Sequence, residues 1–170
     1  MTRAFDATVL AYAVNRFVPE HPRAVRVLEE LMEGEVPAAL AWPSIHEFLA
    51  RVTHAHAVVR PLRPAEALRF VEQVLSSPQV RAIAPGPGHA AALRGILEGL
   101  ETQGLPPGLE VAAVLREHGV RELLSADRGM RRYRFLDVVD PFHGDDWTPR
   151  TRPARRYRVL TPRVRRARGG

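Results

Sequence analysis

At 170 residues and 45% hydrophobic content, the chain is sized for a single domain with a real core. It contains no Cys, which excludes disulfides and thiolate metal sites, and no apolar run approaches the roughly 18 residues of a membrane-spanning helix. The net charge of +6 is uneven: residues 1–148 hold sixteen Arg against nineteen acids, and residues 149–170 hold nine Arg and no acid.

In chain order, residues 2–6 read as a short strand and 7–15 as an apolar helix, with Asp6 at the seam. HPRAVRVLEELMEGE (21–35) sets Ala24, Val25, Leu28, Leu31 and Met32 at helical spacing, with Pro22 near its start and Gly34 past its end. VPAALAW (36–42) reads as a buried strand, and PSIHEFLARVTH (43–54) as a helix with Ile45, Phe48, Leu49 and Val52 on one side. RPAEALRFVEQVLSS (63–77) is a further amphipathic helix stopped before Pro78, and QVRAIAP (79–85) a strand. GHAAALRGILEGLETQG (88–104) and PPGLEVAAVLREHG (106–119) read as helices, the second closed by Gly119. VRELLSADRG (120–129) is a strand running into a turn, and FLDVVDP (135–141) a last short strand. Strands alternating with helices predict a mainly parallel sheet covered on both faces, an α/β/α architecture.

Open α/β sheets bind ligands outside the carboxyl ends of their strands. Asp6 and Asp127 both stand at such ends, 121 positions apart. Glu47 is one turn into the helix after LAWPS, and Glu110 is in the first turn of the helix that follows Pro107, where a carboxylate suits the helix dipole. Such acids, if packed together, repel unless a cation lies between them. Hard oxygen ligands with open positions select Mg²⁺ or Mn²⁺, which orient water and neutralise phosphate charge. Singly, each acid has a simpler role available: Asp6 and Asp127 as helix or turn caps, Glu47 and Glu110 as solvated helix charges.

FDATVLAYAV, WPSIHEFLARVTH, AEALRFVEQVLSSPQVRAIAPGPGH and VAAVLREHGVRELLSADRGMRRYRFLDVVDPF, in that order over residues 3–142, resemble a PIN domain of the VapC toxin ribonuclease type. The resemblance implies a three-layer α/β/α PIN-like domain over 1–143, and the composition beyond it reads as an Arg-rich, flexible C-terminal extension over 144–170. It implies a metal-dependent endoribonuclease of a toxin–antitoxin pair, using Mg²⁺ or Mn²⁺, with RNA as substrate, an antitoxin partner and a homodimer. Helices 64–75 and 87–100 are candidate surfaces for that dimer. Asp6, Glu47 and Asp127 match the first, second and fourth acids of the family. The third falls on Gly108, which has no side chain to ligate a metal. Glu110, two positions on, is the candidate replacement, although residues i and i+2 do not share a helix face. Ala7 and Thr8 stand where Thr and Asn are usual, and Gly129–Met130 where an acid and Phe often stand.

Two functional classes therefore remain: a metal-dependent ribonuclease, and a degenerate PIN-fold protein that binds RNA or protein without chemistry. An aspartyl phosphatase at Asp6 is weaker, because an Asp-x-Asp pattern is required and position 8 is Thr. Arg128, Arg131, Arg132 and Arg134 follow Asp127 directly; they are candidate phosphate contacts, with Tyr133 as a base-stacking candidate. Thr8 is a candidate orienting hydroxyl for a carboxylate. His46 is expected to face away from Glu47, and Trp42 and Phe48 are expected in the core. The basic tail suits a polyanion or else forms a solvated extension. The first residues lack the apolar core of a signal peptide, so a cytoplasmic location is expected.

Overall fold

Short, largely apolar strands in a sequence with amphipathic helices are stable where helices cover both faces of the sheet. The computed structural model, which describes residues 3–100 and 103–144, has this arrangement. Strands β1 (Arg3–Phe5), β2 (Ala38–Ala41), β3 (Val80–Ile83), β4 (Glu122–Leu124) and β5 (Asp137–Val139) form one parallel sheet in the order β3-β2-β1-β4-β5. The helices are α1 (Ala7–Val14), α2 (His21–Glu33), α3 (Trp42–Thr53), α4 (Pro64–Leu75), α5 (His89–Leu97) and α6 (Leu109–Glu117). The alternation of strand side chains divides them into two layers. Phe5, Leu40 and Leu124 pack with residues of α1 to α4, while Ala4, Ala39 and Leu123 pack with α5 and α6. The expected three-layer α/β/α domain is present.

Local sequence sets most element ends. Pro stands in the first turn of α2, α3 and α4, where its missing N–H has no helical partner to lose. Gly119 closes α6 at φ +68°, a left-handed conformation that glycine adopts without Cβ strain. α5 ends at Leu97, short of the expected 104, because Gly95 and Gly99 weaken the helix there. The turn expected after β4 is a 3₁₀ turn over Arg128–Arg132.

The order of strands reverses between β1 and β4. From β1 the chain winds outward through β2 to β3, then returns to lay β4 on the other side of β1. Such a switch point opens a crevice between helices leaving in opposite directions.

Beyond β5 the chain turns back onto the first helical layer. Phe142 meets Tyr12 edge-on at 4.9 Å. Arg23 donates from Nε to the Pro141 carbonyl and from Nη2 to that of Gly144. His143 bridges Asp140 (3.0 Å) and Glu20 (3.3 Å), and the two carboxylates hold its ring charged to a higher pH than usual. The expectations for the extension and its Arg run at 149–170 lie outside the described residues, which end at Gly144. Among the described residues no helix is long and apolar enough to cross a membrane.

Candidate functional site

Asp6 and Asp127 converge at the switch point, on the strands that flank it. Asp6 follows β1, is only 5% exposed and caps α1 by accepting the Thr8 N–H at 2.9 Å. Asp127 lies beyond β4 and caps the 3₁₀ turn by accepting the Gly129 N–H at 2.7 Å. The capping role open to each acid is thus real, and it orients both carboxylates. One buried residue joins them: the Ser125 hydroxyl donates to Asp6 Oδ2 at 2.5 Å and accepts the Asp127 N–H at 2.9 Å. Thr8 forms a second bridge, donating to Asp6 Oδ1 at 2.6 Å and accepting the Ala126 N–H at 2.9 Å. Thr8 therefore both orients a carboxylate and satisfies a backbone group. Ser125 is a residue of the site to which the sequence assigns no role by itself; its signal is its place two residues before Asp127.

Burial pushes the Asp6 carboxyl up to about 6. The hydroxyls of Ser125 and Thr8 and the Thr8 N–H pull it down, and the charge of Glu47 adds to the rise. A carboxylate kept in such a place without a paired Arg is a mark of function more often than of stability.

Glu47 lies on α3 and takes Arg51 Nη2 at 2.6 Å, one turn further along the helix. With Glu110 it borders an open cleft of about 480 Å³ between the start of α3 and the start of α6. Glu47 and Glu110 thus share one cleft, and Glu47 acts electrostatically on Asp6. Among the described residues no three His, Cys, Asp or Glu side chains converge closely enough to hold a metal ion as they stand.

Gly108, where the family's third acid falls, is the N-cap of α6 at φ +77°. A Cβ built there would lie 2.4 Å from Met130 Sδ, so the Met130 side chain fills the space that a residue at 108 would need. Loss of the acid and the presence of Met130 are sterically matched.

Three expectations are corrected. Tyr133 is 2% exposed, packed in the second core cluster with its hydroxyl donating to the Pro107 carbonyl at 2.8 Å. With its ring covered it offers no face to a base. His46 does not face away from Glu47: neighbours on a helix are only about 100° apart, and both border the same wide cleft. Trp42 is not core; it is 39% exposed at the first position of α3. Phe48 is fully buried, as expected. Arg128 and Arg131 are exposed, and Arg132 donates to the Gly129 carbonyl at 2.8 Å.

No family model matches the chain. Among curated proteins it is 32% identical over 145 residues to ribonuclease VapC48 of Mycobacterium tuberculosis, covering 85% of this chain and all of that one. Ribonuclease VapC33 of the same organism is 31% identical over 137 residues, covering 80% of this chain and 95% of its own. Among solved structures, VapBC2 from Rickettsia felis, bound to a DNA fragment from their promoter, superposes with a TM-score of 0.57 at 13% identity. The match covers 82% of this chain and 98% of that one, and establishes likeness of fold.

Proposed function

The chain belongs to the VapC ribonuclease family, and from that premise we propose that it is an endoribonuclease that cuts RNA in the crevice where Asp6 and Asp127 meet. Asp6, Glu47 and Asp127 are its acidic residues, and Glu110 is the nearest substitute for the acid missing at Gly108. The observation that carries this reading is the Ser125 bridge: one hydroxyl at the switch point of a parallel sheet holds the Asp6 carboxylate and the backbone N–H of Asp127. A purely structural acid pair has no need of a buried carboxylate whose ionisation is opposed by burial.

The donor set fits a hard divalent cation. Asp6, Glu47, Glu110 and Asp127 offer carboxylate oxygens, with the Thr8 and Ser125 hydroxyls beside Asp6, and Asp6 is a buried anion near a second negative charge. Mg²⁺ or Mn²⁺ is commonly held by one or two carboxylates with water completing the shell, so an open site without a three-residue cage suits it. Asp6 and Asp127 would hold the ion, with Glu47 and Glu110 reaching it from the cleft side. When bound, it supplies neutralisation of phosphodiester charge and a more acidic water.

The chain's own residues do the rest. Thr8 and Ser125 hold both Asp6 oxygens in place. Arg51 keeps Glu47 in one orientation at the cleft edge. Arg128 and Arg131, exposed and close to Asp127 in sequence, supply guanidinium charge for RNA phosphates. The fold-level likeness to a VapBC assembly supports a cognate antitoxin as protein partner, and we extend the reading to a homodimer. Leu68 on α4 and Leu97 on α5, 42% and 41% exposed, are candidate dimer contacts. Residues 1–143 act as the nuclease body, and 144–170 as an Arg-rich arm.

A second reading, a PIN-fold protein that binds without cutting, is favoured by one observation: Met130 fills the place of the third acid. Cleavage of single-stranded RNA in Mn²⁺ or Mg²⁺ separates the two. The expected result is metal-dependent cutting by the wild type, falling to buffer background in Asp6→Asn. Inert wild type, or equal rates in both proteins, leaves the binding-only reading.

A further inference from the structure

Trp42 is a large aromatic side chain left 39% exposed directly after a strand that is buried throughout. One turn on, the His46 ring lies 5.8 Å from it, tilted by 47°. The two, with Pro43, Pro85, His89 and Glu110, line a depression of about 320 Å³, within the size range of small-ligand sites. Pro43, His46 and Glu110 also line the cleft that holds Glu47. The depression therefore adjoins the carboxylate cleft and shares three of its lining residues.

We propose that this depression is a nucleobase subsite, in which an unpaired base of single-stranded RNA stacks on Trp42 beside the site of cleavage. The proposal rests on the ribonuclease reading for its substrate class. Its lining is aromatic, prolyl and polar, with no Leu, Ile, Val or Met. Such a wall suits a flat π-system with hydrogen-bonding edges better than an aliphatic protein anchor. Sequence-tolerant recognition of single strands commonly uses an exposed aromatic ring in this way.

His89 adds an edge contact. Its Nδ1 is 3.2 Å from Glu117 Oε2. The Glu117 carboxylate is itself held by the backbone N–H groups of Gly86 and Gly88, each at 3.0 Å. With Nδ1 engaged by Glu117, Nε2 is the His89 ring nitrogen left for the edge of a base. Glu117 is a positioning residue in this arrangement, and the PGPGH loop (85–89) is fastened to the end of α6 through it.

The test uses the full chain and a single-stranded RNA oligonucleotide, intact or carrying one abasic nucleotide at successive positions. Binding is read by fluorescence anisotropy in EDTA, and cleavage as separate kcat and KM in Mn²⁺. Trp42→Ala is expected to weaken binding and raise KM by about 5- to 100-fold, with kcat changed less than about twofold. Trp42→Phe, which keeps a ring, is expected to stay within about threefold of the wild type. In the wild type, one abasic position near the cut is expected to weaken binding by a similar factor, and in Trp42→Ala that same position is expected to cost nothing further. Matching far-ultraviolet dichroism of the variants excludes misfolding as the cause. The proposal is overturned if Trp42→Ala binds and cuts like the wild type, or if both proteins show the same abasic profile. It is also overturned if the substitution weakens only association with a co-expressed antitoxin, which assigns the surface to protein docking. A wild type that binds RNA through Trp42 but never cuts it upholds the subsite and defeats the nuclease reading. A wild type that cuts while ignoring Trp42 does the reverse.

Discussion

Asp6 is held where water scarcely reaches it, yet its neighbours among the described residues are hydroxyls, an N–H and another carboxylate rather than a cation. Its carboxyl is raised from 3.8 to about 6, so between those values the folded chain retains a proton that the unfolded chain has released. Stability is therefore lost as pH rises through this window, and the full penalty is present at neutral pH. A displacement of that size corresponds to roughly 3 kcal/mol. Asn at position 6 removes the charge but loses one acceptor, so Asp6→Asn is expected to be about 1–2 kcal/mol more stable than wild type at pH 7.5 in EDTA. The advantage should vanish near pH 4. Thermal melts of both proteins at four pH values check this, and a gap that does not change with pH rejects it. A residue whose replacement stabilises the fold is one retained for what it does.

At the scale of elements, the start of α6 and the 3₁₀ turn are fitted to each other. Gly108 is left-handed and Met130, 3% exposed, occupies the space in front of it. Restoring the family's acid alone forces an L-residue into that conformation, at about 1–2 kcal/mol, and drives it into the Met130 side chain. Gly108→Asp is thus expected to lower stability by about 1–3 kcal/mol. Combined with Met130→Ala it should cost less than the sum of the two single changes, with a coupling of about 0.5–2 kcal/mol. Chemical denaturation of the four proteins measures the cycle; strict additivity would show that the two positions do not compete for space. The pair also bears on activity, because an inert Gly108→Asp variant reports on a displaced turn as much as on the carboxylate. The double variant is the fair test of whether the third acid restores cutting.

Across the whole molecule, charge is divided by position in the chain. The body carries more acids than Arg, and residues 149–170 carry Arg alone. A body with more acids than Arg and carboxylates in its cleft opposes RNA at long range, and the proposed role of the nine Arg of 149–170 is to offset this. Phosphate contacts by Arg release counterions, so affinity falls with salt roughly in proportion to their number. Deleting residues 149–170 is expected to weaken RNA binding at low salt and flatten the dependence of log affinity on log salt. Affinity titrations from about 50 to 200 mM salt test it. An unchanged slope assigns the arm to another partner. The truncation spares the described body, because Phe142 against Tyr12 and Arg23 on the Pro141 and Gly144 carbonyls fasten the chain ahead of residue 149.

Pattern and punctuation alone determined the order of strands and helices, because apolar periodicity, helix-opening Pro and a closing Gly act over a few residues. They also placed Asp6 and Asp127 at strand ends, and a parallel sheet makes strand ends neighbours. What depended on packing stayed hidden. Tyr133 has the composition of an RNA contact and is core, whereas Trp42 reads as core and stands open, since burial depends on which helix lands on which face. Ser125 stands two residues before Asp127, but its bond to Asp6 exists only once β4 lies beside β1. The competition of Met130 with any side chain at position 108 was equally invisible, for two positions 22 apart compete for one space only after the chain has folded. Local chemistry is written along the chain, but which side chains share a volume is decided by topology.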